Sequence, residues 1–105
     1  DTLIHLDRGV VVPEHLQAIL YEMPQVAHAI VVGRAGKLTA IIHPDYDAIN
    51  EMYSPGVIDV DRLIHSVIAE VNRTTSLIEH IDEVEVSHEP LKLTCKGTVA
   101  RYHYC

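Results

Sequence analysis

The residues of this chain best suited to chemistry lie near its C-terminus, in the stretch EPLKLTCKGTVAR at residues 89–101. This stretch contains a basic, glycine-containing loop made of Lys96, Gly97, Thr98 and Arg101. No Asp or Glu follows Glu89. A flexible loop of this kind can bring a cation to a phosphate or carboxylate that is bound to another domain or protein. The alternative is a frayed C-terminus whose lysines only keep the chain in solution.

Histidine and cysteine give weaker signals. The 8 His residues are spread along the chain without an H-x-H or H-E-x-x-H pair, so we expect no metal site, although His28 and His43 fall near the open end of a predicted hairpin. Cys95 and Cys105 form neither a disulfide framework nor a zinc site. Cys95 also lacks an evident base that would make it a nucleophile. A reducing cytoplasm is the simplest compartment.

Length and composition limit the class of protein. A chain of 105 residues with 48% hydrophobic residues fits one domain with a modest core. The formal net charge of −7 and the absence of Trp and Phe argue against nucleic acid as the main partner. No apolar run approaches the ~20 residues that span a bilayer, and the N-terminus lacks the pattern of a signal peptide. Because the chain does not begin with Met, we expect a piece of a longer protein.

The first half of the sequence predicts a strand, a helix and a hairpin. We expect short strand segments at residues 1–6 and 10–12, separated by a turn. Pro13 fits the first turn of a helix, and the apolar residues after it recur at helical spacing until Pro24 ends the helix. Residues 27–32 and 38–43 predict two buried strands joined by a glycine-containing turn.

The second half predicts a polar connection, a helix, a strand and a tail. Residues 46–56 indicate the connection, and residues 60–71 keep the clearest helical periodicity, with Asp59 or Asp61 as its cap. Residues 72–76 indicate a polar exit, and 81–87 a half-buried strand. The predicted fold class is therefore α+β. It has a small, mainly antiparallel sheet with a central hairpin covered by two helices, a short N-terminal strand and a basic C-terminal loop.

Three segments, in this order and spacing, resemble the C-terminal lid subdomain of adenylate-forming enzymes. That superfamily includes acyl-CoA synthetases, adenylation domains of peptide synthetases, carboxylate reductases and luciferases. The segments are DTLIHLDRGVVVPEHLQAIL (1–20), PQVAHAIVVGRAGKLTAIIHPD (24–45) and VNRTTSLIEHIDEVEVSHEPLKLTCKGTVARY (71–102). They are similar to the family's hinge strand, glycine turn and proline-led helix, to its hairpin, and to its terminal "T-x-t-G-K-i-x-R" loop.

The resemblance implies that residues 1–105 are one lid domain, with a hinge-strand region at 1–12 and a catalytic-loop tail at 89–105. In the family, a large N-terminal domain binds ATP and a carboxylic acid, and the lid closes to form an acyl-adenylate. The lid then turns about a hinge residue, which falls on Asp1, to present another face for thioester formation. The resemblance implies that the fragment itself binds no cofactor and is inactive alone. The full enzyme would use ATP, Mg and coenzyme A or carrier-protein phosphopantetheine.

The same resemblance assigns further residues. Arg8 and Gly9 would belong to the face used in thioester formation. Apart from the resemblance, Arg34 and Lys37 are cations in the turn of the predicted hairpin, and contact with coenzyme A phosphates is their functional interpretation, because phosphates attract exposed cations. The alternative for both arginines is an ordinary solvated surface.

One residue departs from the family pattern. The family's adenylation lysine directly follows the glycine of the terminal loop, but Thr98 stands there in this chain. Lys96 precedes Gly97, in a K-G-T order that resembles fungal adenylate-forming reductases. Either Lys96 supplies the cation from the other side of the glycine, or the lysine is absent and the protein is slow, inactive or dependent on another cation.

Two other functions stay open. The element order also permits a ferredoxin-like regulatory module that binds a small molecule. The second alternative is a lid that has lost catalysis and serves as an interaction domain. A basic loop after the last strand favours the adenylating lid, because a sensing module does not need one.

Overall fold

A computed structural model describes residues 2–54 and 56–104 and contains short strands around a long hairpin. The elements are β1 (Ile4–Leu6), β2 (Gly9–Val11), α1 (Pro13–Tyr21), β3 (Val26–Arg34), β4 (Lys37–Pro44), α2 (Tyr46–Met52), α3 (Val60–Thr74) and β5 (Glu83–Val86), followed by a 3-10 turn at Arg101–His103.

The strands form two sheets. β1 and β2 pair antiparallel as a small hairpin, and the larger sheet has the order β3-β4-β5. β3 and β4 are antiparallel, whereas β5 lies parallel to β4. Ala35 and Gly36 both have positive φ, at 50° and 76°, which is the geometry of a tight hairpin turn. The predicted α+β fold with a central hairpin is confirmed.

The two predicted helices form where the apolar periodicity indicated them, although α3 continues to Thr74, so the predicted polar exit at 72–76 was wrong in part. α1 begins at Pro13, as expected for a residue that has no N–H to leave unpaired. In α3, the Asp59 side chain caps the N-terminus by accepting a hydrogen bond from the Arg62 backbone N–H at 3.3 Å. Its buried residues follow the predicted stripe: Ile64, Val67, Ile68 and Val71.

The predicted polar connection at residues 46–56 was wrong in part, because α2 occupies Tyr46–Met52. Asp45 caps this helix by accepting from the Ala48 backbone N–H at 3.0 Å. Ile49 is its buried residue. A helix of two turns with one buried side chain carries too little periodicity to be recognised in the sequence.

The sheet is covered on both faces. One face packs against α1 and α3 in the main core, which includes Leu16, Leu20, Val31, Leu38, Ala40, Ile42, Ile64 and Val71. The second face presents Ile30, Val32 and Ile41, and residues 88–104, called the terminal segment below, pack on it through Leu91, Val99 and Tyr104. The terminal segment is therefore part of the folded domain, and the frayed C-terminus considered from the sequence is wrong for residues 88–104.

Replacing Leu91 with Ala should release the terminal segment from the second face. Leu91 is 4% exposed, so its loss leaves a cavity and should cost about 2 kcal/mol or more. Hydrogen exchange should become faster in residues 92–104 than in α3. Leu93→Ala is the matched control, because Leu93 is 47% exposed and its loss should change stability by about 0.5 kcal/mol or less. Equal effects of the two variants would contradict this packing.

Candidate functional site

The predicted catalytic residues lie in a small β-like loop within the terminal segment. The Ala100 N–H donates to the Lys92 carbonyl at 2.7 Å, and the Thr94 N–H donates to the Thr98 carbonyl at 2.7 Å. Leu93 and Val99 form an antiparallel bridge between these two contacts. Residues 92–100, called the terminal loop below, are therefore held together by their own backbone.

Residues Cys95, Lys96 and Gly97 form the tip of the terminal loop. Gly97 has φ of 84°, a left-handed conformation that favours glycine, and its N–H donates to the Thr94 carbonyl at 2.9 Å. The hydroxyls of Thr94 and Thr98 lie 2.8 Å apart and can hydrogen-bond to each other. Thr98 thus stabilises the loop next to Lys96 through its contacts with Thr94.

Lys96 is an exposed cation. Within residues 2–54 and 56–104, no carboxylate lies within ion-pair distance of Lys92, Lys96 or Arg101. By contrast, Arg8, Arg34, Lys37 and Arg73 all pair with carboxylates. The charges of the exposed Lys92 and Lys96 are therefore free to interact with groups outside this domain, as the absence of acidic residues after Glu89 indicated.

Arg101 has different surroundings from Lys96. Its Nη1 donates to the Gln17 side-chain oxygen at 3.3 Å, while its buried Nε finds no hydrogen-bond partner among the described residues. The same Gln17 oxygen accepts from the Val31 backbone N–H at 3.1 Å. Arg101 is thus turned toward α1 and the edge of the sheet.

Sequence reasoning missed the role of Gln17 and Tyr21. β3 is an edge strand, so its outward backbone groups need partners. Gln17 accepts from Val31, and the Tyr21 hydroxyl both accepts from the Ala29 N–H at 3.1 Å and donates to the Ala29 carbonyl at 3.3 Å. These residues lie one helical turn apart on the same face of α1. The sequence does not show that β3 is an edge strand, so it could not identify this spacing as a set of contacts to that edge.

Arg8 and Gly9 lie at the turn between β1 and β2. The Arg8 guanidinium donates to the Ile78 and His80 carbonyls at 2.9 and 2.7 Å and forms an ion pair with Asp82 at 3.0 Å. Gly9 has φ of 147°, and a Cβ there would lie 3.0 Å from the Ile78 side chain. Both residues therefore hold the N-terminal hairpin against residues 78–82. Their predicted role in thioester formation stays a prediction.

The ion pair between Arg8 and Asp82 depends on pH, because the Asp82 carboxyl must be ionised to form it. Burial raises the pKa of the Asp82 carboxyl, but the Leu38 N–H and the Arg8 guanidinium together outweigh burial and hold the pKa below its usual range. The Leu38 N–H donates to the same carboxyl oxygen as Arg8, at 2.7 Å. The carboxylate thus links β4 to the turn after β1.

Arg34 and Lys37 are also engaged at the surface of the sheet. Arg34 pairs with Glu85 at 3.2 Å and donates to the Tyr104 carbonyl at 2.9 Å. Lys37 pairs with Glu83 at 3.2 Å. A phosphate would have to displace these contacts, so the predicted contact of Arg34 with coenzyme A phosphates gains no support from this geometry.

A polar cluster fixes the start of the terminal segment. The Tyr46 hydroxyl and His88 Nδ1 lie 2.6 Å apart, and His88 Nε2 lies 3.2 Å from an Asp61 carboxylate oxygen. Burial, followed by the Asp61 charge, raises the pKa of the Tyr46 hydroxyl. His88 therefore joins the terminal segment to α2 and α3.

Three further predictions concern the hinge residue, a metal site and a membrane span. The hinge residue Asp1 lies outside the described residues. His28 and His43 are opposite each other across β3 and β4, yet no cluster of three metal-binding side chains occurs in the part of the chain that the structure describes. Among those same residues, no helix is both long enough and apolar enough to cross a membrane.

No family model and no curated protein matches the sequence. Solved structures do match. An acyl-CoA synthetase from Brucella canis is 20% identical over 98% of this chain, with a TM-score of 0.72. The adenylation domain of a carboxylate reductase from Mycobacterium chelonae is 21% identical over 96%, with a TM-score of 0.76. The A-PCP didomain of a carboxylic acid reductase from Segniliparus rugosus, solved with AMP, is 20% identical over 96%, with a TM-score of 0.73.

These likenesses establish the fold. The chain has a fold found within acyl-CoA synthetases and within the adenylation domains of carboxylate reductases. The fold implied by the sequence resemblance is therefore confirmed. The chain spans only 18%, 17% and 15% of the three matched chains, as a small subdomain would.

Replacing Asp82 with Asn should destabilise the domain by about 1 kcal/mol at pH 7, because the amide loses the charge that pairs with Arg8 in a partly solvent-screened contact. A lowered pKa in the folded state means that this stabilisation is present above the unfolded pKa of about 3.9 and is lost as the pH falls through the folded pKa. Urea unfolding of both proteins at pH 7 and at acid pH should show the difference narrowing in acid.

Asp7→Asn provides the control for this measurement. Asp7 is exposed and makes no side-chain hydrogen bond or ion pair with the described residues. Its removal should change stability by about 0.5 kcal/mol or less at either pH. A difference between wild type and Asp82→Asn that does not depend on pH would contradict the proposed ionic contribution.

Proposed function

We propose that this chain is the mobile C-terminal lid of an adenylate-forming enzyme, either an AMP-forming acid–thiol ligase or an adenylate-forming reductase. The observation that carries the proposal is Lys96, which has no carboxylate partner among the described residues and lies at the tip of a braced loop, on a fold shared with acyl-CoA synthetases. The large domain of the same longer protein would bind the carboxylic acid, and this lid would close over it.

Lys96 would supply positive charge at the reacting centre. An ammonium on a flexible stem can approach both a phosphate and the attacking carboxylate, and it stabilises the charge that develops between them. Lys96 fits that task because it is exposed and has no carboxylate partner among the described residues. ATP bound to the large domain would provide the adenylyl group.

Thr98 would have a supporting role in this proposal. Its hydroxyl and its carbonyl both contact Thr94, so the loop beneath Lys96 resists collapse. Magnesium would be held by the large domain or by phosphates, because the described residues contain no cluster of metal-binding side chains. Coenzyme A or a carrier-protein phosphopantetheine would be the acceptor in a later step, after a rotation about Asp1.

The regulatory alternative has less support. A ferredoxin-like module places its strands in one sheet, following the β-α-β-β-α-β order. In the described residues, β1 pairs with β2 and stays outside the sheet of β3, β4 and β5. A basic terminal loop after the last strand is also not needed in such a module.

In the longer protein that contains this chain, Lys96→Ala should reduce acyl-adenylate formation by about 10²-fold or more, because the loss removes charge stabilisation at the reacting centre. The measurement is carboxylate-dependent exchange of pyrophosphate into ATP. Lys92→Ala is the matched control, since it removes the same charge from the base of the same loop and should retain most of the rate.

The outcomes separate the open alternatives. A large loss in Lys96→Ala alone supports the lysine assignment. Measurable exchange that is unchanged in Lys96→Ala would contradict it and leave the reaction to another cation. An absence of exchange in the wild-type protein with every carboxylic acid tried would favour a lid that has lost catalysis and serves as an interaction domain.

A further inference from the structure

A cleft of about 360 Å³ lies between α1, the edge of β3 and the terminal loop. Its walls include Gln17 and Tyr21 from α1, His28 and Ile30 from β3, and Thr98 and Arg101 from the terminal segment. The adenylating role proposed for Lys96 does not use this cleft, because Lys96 is not one of its lining residues. Its volume falls at the lower end of the range of small-molecule sites, which is roughly 300–1,000 Å³.

Arg101 is the cation that lines the cleft, and the described residues satisfy only part of its guanidinium. A guanidinium has several N–H donors and cannot be deprotonated in a protein. Among the described residues, Arg101 makes one side-chain hydrogen bond, to Gln17, and its Nε is buried without an acceptor. The buried Nε is shielded from a ligand, but Nη2 makes no hydrogen bond with the described residues and is not buried, so an anion in the cleft can accept a charge-assisted hydrogen bond from it.

The rest of the wall suits an organic group. Ile30 and Val99 are apolar, and Tyr21 is an exposed aromatic residue. The Tyr21 and His28 rings meet edge to face, with centroids 6.4 Å apart. The Tyr21 hydroxyl is already bound to Ala29, so the ring contributes a face rather than a polar contact.

We propose that this cleft binds a small organic oxyanion, whose phosphate or carboxylate head meets Arg101 and whose apolar body lies against Ile30, Val99 and Tyr21. Glu14 also lines the cleft, and its exposed carboxylate opposes an anion and weakens the affinity. Because Gly97 and Thr98 belong to the same wall, a bound anion restrains the terminal loop that carries Lys96. The site does not depend on the proposed adenylating function.

The test is a titration of the 105-residue chain followed by amide NMR, with phenyl phosphate, benzoate and inorganic phosphate as probes. At least one of the two organic anions should give saturable shifts at Gln17, Ile30 and Val99, with a dissociation constant on the order of 1 mM or tighter. Comparing phenyl phosphate with benzoate distinguishes a phosphate from a carboxylate head. Inorganic phosphate, which lacks the apolar body, should bind more weakly.

Two substitutions should act in opposite directions. Arg101→Gln should weaken binding about tenfold or more, because it removes a charged donor. Glu14→Gln should strengthen it, because it removes a like charge. Arg62→Gln is the matched control, since Arg62 also lacks an ion pair among the described residues but lies on α3.

Circular dichroism and the spectrum without ligand establish that each variant is folded. If Arg101→Gln unfolds the terminal segment, Arg101→Lys and Glu14→Gln still provide the test, with weaker and tighter binding expected respectively. The proposal is overturned if no probe gives saturable shifts at the cleft, if Arg62→Gln weakens binding as much as the Arg101 variant, or if Glu14→Gln does not strengthen it. Equal affinity for inorganic phosphate and phenyl phosphate would contradict the inference that the ligand has an apolar body that packs in the cleft.

Discussion

The structure depends on a hairpin whose two strands are apolar on both faces. Alternating residues of β3 and β4 enter two separate cores, so Val31 faces α1 and α3 while Ile30 and Ile41 face the opposite side. Apolar area of that size is costly to leave in water. The helices cover one face, and the terminal segment must cover the other. The C-terminal residues, which the sequence indicated as a tail, are therefore needed to complete the second core.

This requirement explains how the candidate site is positioned. The terminal segment is anchored at its start by His88 and along its length by Leu91 and Tyr104. The residues between these anchors form a loop closed by its own hydrogen bonds, with Lys96 outside the packing and Arg101 against α1. One segment thus carries an exposed cation, Lys96, at its tip and a partly buried cation, Arg101, beside a cleft.

Much of the fold could be predicted because its signals are local. Apolar periodicity identified α3, Pro13 marked the start of α1, and a glycine turn between buried strands indicated the β3–β4 hairpin. The parallel pairing of β5, the helix α2 and the contacts of Gln17 depend on tertiary packing, which leaves no spacing in the sequence to recognise. For the site, Lys96 at an exposed, glycine-containing tip was predictable from residue types. The engagement of Arg8 by Asp82 and of Arg34 by Glu85 was not, because their partners lie 74 and 51 residues away.

The most direct test of the account is a crystal structure of the longer protein with a non-hydrolysable acyl-adenylate analogue. The account predicts that the terminal loop keeps its Thr94–Thr98 brace and that Lys96 Nζ lies within about 3.2 Å of a phosphate or acyl oxygen. A closed lid with Lys96 directed into solvent, and with another residue's cation at those oxygens, would contradict the assignment of Lys96 as the catalytic cation.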